Sequence, residues 1–166
     1  MDNDGDMDIV SASINDDTIA WYENDGNENF SSHTVTTTAD GANSAVGADV
    51  DGDGKRDIVA VSENRVMWYQ APDWKPHVMI KDQTPRDNVC IAPLDIDGDG
   101  KIDFALGAGW TGKGTLHWIR RGKSLDEPWQ VHQVGVERWT HRMRFADVLG
   151  KGRPQLVVSP LNATVG

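Results

Sequence analysis

The nonapeptide Asp49–Asp57, DVDGDGKRD, returns as DIDGDGKID at Asp95–Asp103. It opens the chain as DNDGDMD at residues 2–8 and decays to DVLGKGRPQ at 147–155. Each full copy crowds four carboxylates around two glycines: Asp49, Asp51, Asp53 and Asp57 in one, Asp95, Asp97, Asp99 and Asp103 in the other. Carboxylates this dense repel one another unless a cation shares their oxygens. A hard divalent ion taking six to eight oxygens at ~2.3–2.6 Å suits such a loop, which points to calcium; magnesium demands a smaller octahedral shell and keeps its waters.

The second acid of each loop marks a period. Asp2, Asp51, Asp97 and Leu149 are 49, 46 and 52 residues apart, and periods of about 40–50 residues signal propellers or other repeat arrays. Other features recur in phase. An aromatic pair stands at Trp21-Tyr22 and Trp68-Tyr69, with Trp118-Ile119 in the third copy. A bulky aromatic precedes a histidine by three residues at Phe30/His33, Trp74/His77 and Trp129/His132, which assigns these histidines to strand packing. Each unit reads as four short strands of β-branched and aromatic residues: one entering the acidic loop, one leaving it, one carrying the aromatic pair and one carrying the histidine. Asn24-Asp25-Gly26-Asn27 reads as the hairpin turn between the last two, with Asp-Gly supplying positive φ. No stretch has helical periodicity.

The expected fold class is all-β: a segment of a β-propeller built of four-stranded antiparallel blades. It comprises about three blades and the start of a fourth, with repeats at approximately 1–46, 47–92, 93–145 and 146–166. Three blades do not close a ring of about four to eight, and an open arc exposes edge strands. The rest of the ring is therefore expected from further sequence or from another chain. The counterpart of Asp49 would fall just before Met1, so the chain is expected to begin inside a repeat.

Charge excludes some partners. Twelve of the 26 acidic residues lie in the first three loops, and the other 14 nearly balance 16 Lys and Arg. The net charge of −10 is thus local to the loops. There is no basic stripe for nucleic acid, and no apolar run reaches the ~18 residues of a membrane span. A single cysteine, Cys90, excludes an internal disulfide framework; in the apolar run VCIAPL it reads as a buried, inert thiol. No secretory signal precedes the first loop.

The pattern DxDGDGxxDIV, followed by a strand reading WYENDGNENF, resembles the FG-GAP/VCBS repeat family, and the likeness extends over nearly the whole chain. The resemblance implies bladed propellers whose loop between the first two strands binds calcium through Asp side chains and one backbone carbonyl. It also implies a secreted protein, extracellular or periplasmic, acting as a binding scaffold for a protein or carbohydrate partner. Carried onto this sequence, the ligand sets are Asp49, Asp51, Asp53, the Lys55 carbonyl and Asp57, then Asp95, Asp97, Asp99, the Lys101 carbonyl and Asp103. An EF-hand or dockerin loop would need an acid at its twelfth position and helical flanks, but those positions are Ala60 and Leu106 in β-prone runs. The first loop offers only Asp2, Asp4 and Asp8 and is expected to bind weakly or not at all. The fourth keeps Asp147, Gly150 and Gly152 but has Leu149, Lys151 and Gln155 in place of acids. It is expected to be metal-free, with the Lys151 ammonium standing in for the ion.

Residues that the repeat does not explain are the candidates for action. His117 and His141 are out of phase. Arg142 and Arg144 share one face of a first strand, which in a propeller lines the central channel; arginine there suits a carboxylate or sugar hydroxyls. Asn88 is placed on the matching face of the previous blade. Trp110, in the glycine-rich hairpin 107–114, is available to stack on a sugar ring. The run from DNVCIAPLDIDGDGKIDFALGAGW through THRMRFADV to VVSPLN is similar to the propeller part of aldos-2-ulose dehydratase-type sugar lyases. That similarity implies a carbohydrate site near His141 and Arg142 as catalytic candidates, although neighbours on one strand are expected on opposite faces.

Overall fold

The computed structural model describes every residue except 111, 126 and 162–166. Among the described residues the chain forms thirteen strands and no helix. The first sheet contains β1 (Ile9–Ser13), β2 (Thr18–Asn24) and β3 (Phe30–Thr36). The second contains β4 (Ser44–Ala48), β5 (Asp57–Ser62), β6 (Arg65–Gln70) and β7 (Lys75–Lys81). The third contains β8 (Cys90–Leu94), β9 (Asp103–Ala108), β10 (Thr115–Arg120) and β11 (Gln130–Gly135), and the fourth pairs β12 (Thr140–Ala146) with β13 (Gln155–Pro160). Every neighbouring pair is antiparallel and consecutive in the chain. This is the meander expected of propeller blades. The sheets are slightly offset from the sequence period, whose limits at 46/47, 92/93 and 145/146 fall inside β4, β8 and β12.

The first strands of successive sheets lie side by side, β4 against β8 and β8 against β12. The sheets therefore stack face to face, and the core lies between them. The second strand of a full sheet has both faces covered, so all six residues of β5 and all six of β9 are buried. Ile58 and Ala60 of β5 point toward the first sheet and join Ile19, Trp21 and Tyr69. Val59 and Val61 point the other way and join Trp68, Ile91, Phe104, Leu106 and Trp129. Fully burying such side chains is worth ~1.5–3 kcal/mol each, so neighbouring sheets depend on one another. The two outer faces of the arc are less covered: Phe30 is 49% and Val157 38% exposed.

The in-phase histidines pack as expected, and their partner is the tryptophan directly across the sheet. Trp21 faces His33, Trp68 faces His77 and Trp118 faces His132 in register. The ring centroids are 4.4, 4.3 and 5.3 Å apart. A register shift at the start of each of these strand pairs also repeats, leaving Val35, Met79 and Val134 as the extra residues. The turn after Asn24 differs from expectation in one detail. Gly26 has φ 73°, but the second left-handed residue is Glu28 (φ 66°), so the connection is longer than a two-residue Asp-Gly turn.

Candidate metal centre

The loops that begin at Asp49, Asp95 and Asp147 are each wound around that first aspartate. The Asp49 carboxylate accepts hydrogen bonds from Gly52 N (2.8 Å) and Gly54 N (3.0 Å), while Asp51 accepts from Asp53 N (3.0 Å). In the next copy Asp95 accepts from Gly98 N (2.8 Å) and Gly100 N (2.9 Å). Both glycines of the first full loop are left-handed (φ 84° and 86°), a conformation glycine adopts without strain. In the loop at residues 2–8 these positions are held by Asn3 (φ 73°) and Gly5; asparagine tolerates this region better than most residues. Asp147 keeps the same task in the fourth loop, accepting from Lys151 N and Gly152 N at 2.9 and 2.7 Å. This explains why Asp147 persists where the other acids are gone.

The wound loops aim carboxylates at common points. Asp49, Asp51 and Asp57 each bring an oxygen within 4.8 Å of the others, and so do Asp95, Asp97 and Asp99. An ion with ligands at ~2.3–2.6 Å fits between oxygens so spaced, and an all-oxygen donor set is the chemistry of a hard cation. These acid clusters can hold a metal ion. The two trios are not equivalent. Asp53 lies outside its trio, with the Lys55 ammonium 3.5 Å from its carboxylate; the Lys101 ammonium is 3.9 Å from Asp99. In the first loop, Asp2, Asp4 and Asp8 form no such group among the described residues, and the Met1 amine pairs with Asp8. Asn3 instead donates to the Gly54 carbonyl at 2.8 Å, tying the first loop to the second.

The last acid of each loop has a second task that its ligand-like spacing hides. Asp57 is 1% exposed and accepts from Val50 N (2.9 Å) and Ala71 N (2.8 Å). Asp103, also 1% exposed, accepts from Trp118 Nε1 (2.9 Å) and Arg121 N (3.0 Å). Asp8 accepts from Asn24 N at 3.0 Å. Asn24, Ala71 and Arg121 each stand three residues beyond the repeat tryptophan. One carboxylate in each of the first three sheets thus clamps the loop to the end of the strand that carries the repeat tryptophan. Burial pushes the Asp57 and Asp103 carboxyls above the ordinary range, against the lowering effect of these hydrogen bonds.

A family model described as FG-GAP-like repeat matches residues 1–60 and again 49–106. The chain belongs to this family. Each match runs from one acidic loop, through a sheet, to the strand that leaves the next loop, so the FG-GAP-like unit is measured from loop to loop. The overlap of the two matches, 49–60, contains Asp49, Asp51 and Asp57. No curated protein matches the chain, so the similarity to sugar lyases finds no counterpart there.

Other sequence candidates are dispersed. Asn88 does not share an open face with the arginines: it is fully buried, donates to the Ser62 carbonyl (3.2 Å) and accepts from Thr84 Oγ1 (2.8 Å). Arg142 and Arg144 are exposed on one face, with Ser159 and Val157 opposite them. Met143 abuts Gly107, so this face is the one turned away from the third sheet. Neither arginine forms an ion pair among the described residues, and neither does Lys151. His141 and Arg142 meet, contrary to strict alternation. The register slips between Thr140 and Arg142, and a bulge of this kind re-aims side chains. Arg142 Nη1 lies 3.4 Å from His141 Nε2 and donates to the His141 carbonyl at 3.1 Å. Trp110 closes the group, its ring 6.1 Å from His141 and 6.4 Å from Trp139. Burial, then the Arg142 charge, lower the His141 pKa. Out-of-phase His117 is only 5% exposed, with Nε2 2.9 Å from Thr115 Oγ1, and reads as a core residue.

Proposed function

We propose that the chain is a calcium-binding β-propeller repeat module that works as a binding scaffold in a secreted protein, extracellular or periplasmic. The observation that carries this reading is the convergence of three aspartate oxygens in each of two FG-GAP-like loops. In the first, Asp49, Asp51 and Asp57 would hold the ion, joined by Asp53 and the Lys55 carbonyl on small side-chain and backbone adjustments. In the second, Asp95, Asp97 and Asp99 would hold it, with the Lys101 carbonyl and Asp103. The ion would neutralise each cluster and lock the turn between first and second strands. Ligand binding to the folded state raises apparent stability, so saturating calcium is expected to raise the thermal midpoint relative to chelator. An unchanged midpoint removes the reading.

The meeting of Trp110, His141 and Arg142 favours a second role, a carbohydrate site at the end of the sheets opposite the acidic loops. Trp110 would stack on the sugar, and Arg142, with Arg144 on the same face, would take its carboxylate or hydroxyls. If the parent protein is a sugar lyase of the aldos-2-ulose dehydratase type, His141→Ala should abolish loss of water from a keto-sugar. Turnover indifferent to that change excludes the catalytic role.

A further inference from the structure

One register position distinguishes the two acid clusters. Two residues beyond the repeat tryptophan stands Glu23 in the first sheet, Gln70 in the second and Arg120 in the third, a step from negative through neutral to positive. Gln70 Nε2 donates to Asp51 Oδ2 at 2.7 Å. Arg120 Nη2 meets Asp97 Oδ2 at 2.6 Å. Asp51 and Asp97 are equivalent members of the two trios, so each cluster has one carboxylate held by the third strand of its own sheet. The holding group is an amide in one case and a guanidinium in the other. The guanidinium is also fixed from behind, 5.6 Å over the ring of Trp118, whose own Nε1 is anchored on Asp103.

Of the remaining basic groups, Arg121 also stands at the loop Asp49–Asp57, but its Nη1 donates to the Val50 carbonyl at 2.8 Å and it forms no ion pair with a carboxylate among the described residues. Lys55 and Lys101 occupy the same place in the two loops and pair alike with the third acid. Arg56, present only in the first, is exposed and forms no ion pair among the described residues.

We infer that Arg120 is an affinity-determining residue that makes the loop Asp95–Asp103 the weaker of two unequal cation sites, with Gln70 leaving Asp49–Asp57 the stronger; this rests on the cation reading above. A carboxylate has about four lone-pair sites, so Asp97 keeps its arginine while offering another lone pair to the ion. Arg120 thus acts by charge, not by blocking the loop. At ~6 Å in a water-like dielectric, repulsion between a guanidinium and a divalent ion corresponds to roughly a tenfold loss of affinity. The same guanidinium partly neutralises the cluster when calcium is scarce. The arrangement separates a loop that fills early from one that responds at higher calcium.

Calorimetric titration of the full chain with calcium chloride tests this. Two classes of site are expected, the stronger lost in Asp51→Asn and the weaker lost in Asp97→Asn. Arg120→Gln, which copies the second sheet's own solution, should tighten the weaker class about tenfold. Gln70→Arg should weaken the stronger class by a similar factor. Both effects should shrink in high potassium chloride, because salt screens exposed charge. Binding by wild type with constants that neither exchange moves beyond twofold overturns the inference and leaves the cation reading standing. No binding by wild type overturns both. The reciprocal exchanges guard against a single misfolded variant, and circular dichroism of each checks the fold.

Discussion

The buried carboxylate of Asp57 accepts a hydrogen bond from the backbone N–H of Ala71 at 2.8 Å, joining the acidic loop to the end of β6. Asp53, four residues earlier, accepts from within its own loop, from Lys55 N at 2.8 Å, and stands exposed beside the Lys55 ammonium. Two acids that look alike in the repeat therefore differ in what they hold. Asp57→Ala strands the Val50 and Ala71 amides and should cost about 2–4 kcal/mol even without metal, since hydrogen bonds to charged groups contribute ~1.5–3 kcal/mol. Asp53→Ala should change stability by less than about 0.5 kcal/mol under the same conditions. Urea unfolding of both variants in excess chelator makes the comparison. Equal effects would refute the clamp.

The cross-strand stack of Trp68 on His77 is a second joint of the repeat, with ring planes 22° apart. Aromatic pairs contribute roughly 0.5–1.5 kcal/mol beyond their buried area. His77→Ala should lose at least that much, and His77→Phe should recover most of it. A double-mutant cycle with Trp68→Leu is expected to give a coupling of about 1 kcal/mol; a value near zero would reduce the histidine to a spacer.

The fold was legible because its determinants are local and recur: the acid loop, the tryptophan and the histidine each mark a fixed place in a meander. The position of His33, His77 and His132 as packing residues followed from phase alone, though the facing tryptophan becomes visible only when β2 and β3 are set in register. The site was legible in outline and blurred in detail. Alternating aspartates look equivalent in sequence, but winding the loop sends Asp57 and Asp103 inward to backbone amides and leaves Asp53 at the surface. Asn88 was misplaced for a related reason. Strand alternation gives it a face, but it precedes β8 and fills the junction between the second and third sheets. His141 and Arg142 meet because of a bulge, and nothing in THRMR announces one.

Cys90 is 4% exposed, and burial pushes its thiol up to about 11. The thiolate is the reactive form, so the native protein should react with a thiol reagent at pH 8 far more slowly than the urea-unfolded chain. Labelling at comparable rates in both states would show that the junction of β8 with β9 opens readily.

His117 is buried, and burial lowers its pKa below the ordinary value of 6.5. The unfolded chain then binds the proton more readily than the folded one, so stability increases with pH through this window. The contribution is fully present above about pH 6.5 and is lost as pH falls from there toward the folded value. Unfolding free energies at pH 7.5 and 5.5 should differ less in His117→Gln than in wild type. An unchanged difference would assign the acid sensitivity to other groups.

Arg121 links neighbouring sheets at the level of the acidic loops. Its backbone N–H donates to Asp103 within the third sheet, while Nη1 donates to the Val50 carbonyl, in the loop of the second, at 2.8 Å. The Val50 amide in turn donates to Asp57, so one guanidinium braces the loop of one sheet against the clamp of the next. Val50 is fully buried, and deleting the side chain leaves its carbonyl without this donor. Arg121→Ala should therefore cost about 1–3 kcal/mol. Hydrogen exchange should rise at Val50 and Ala71 more than at β2 or β3, because the damage is confined to the joint between the second and third sheets. A uniform rise across the chain would mean that Arg121 supports the whole arc and not that joint.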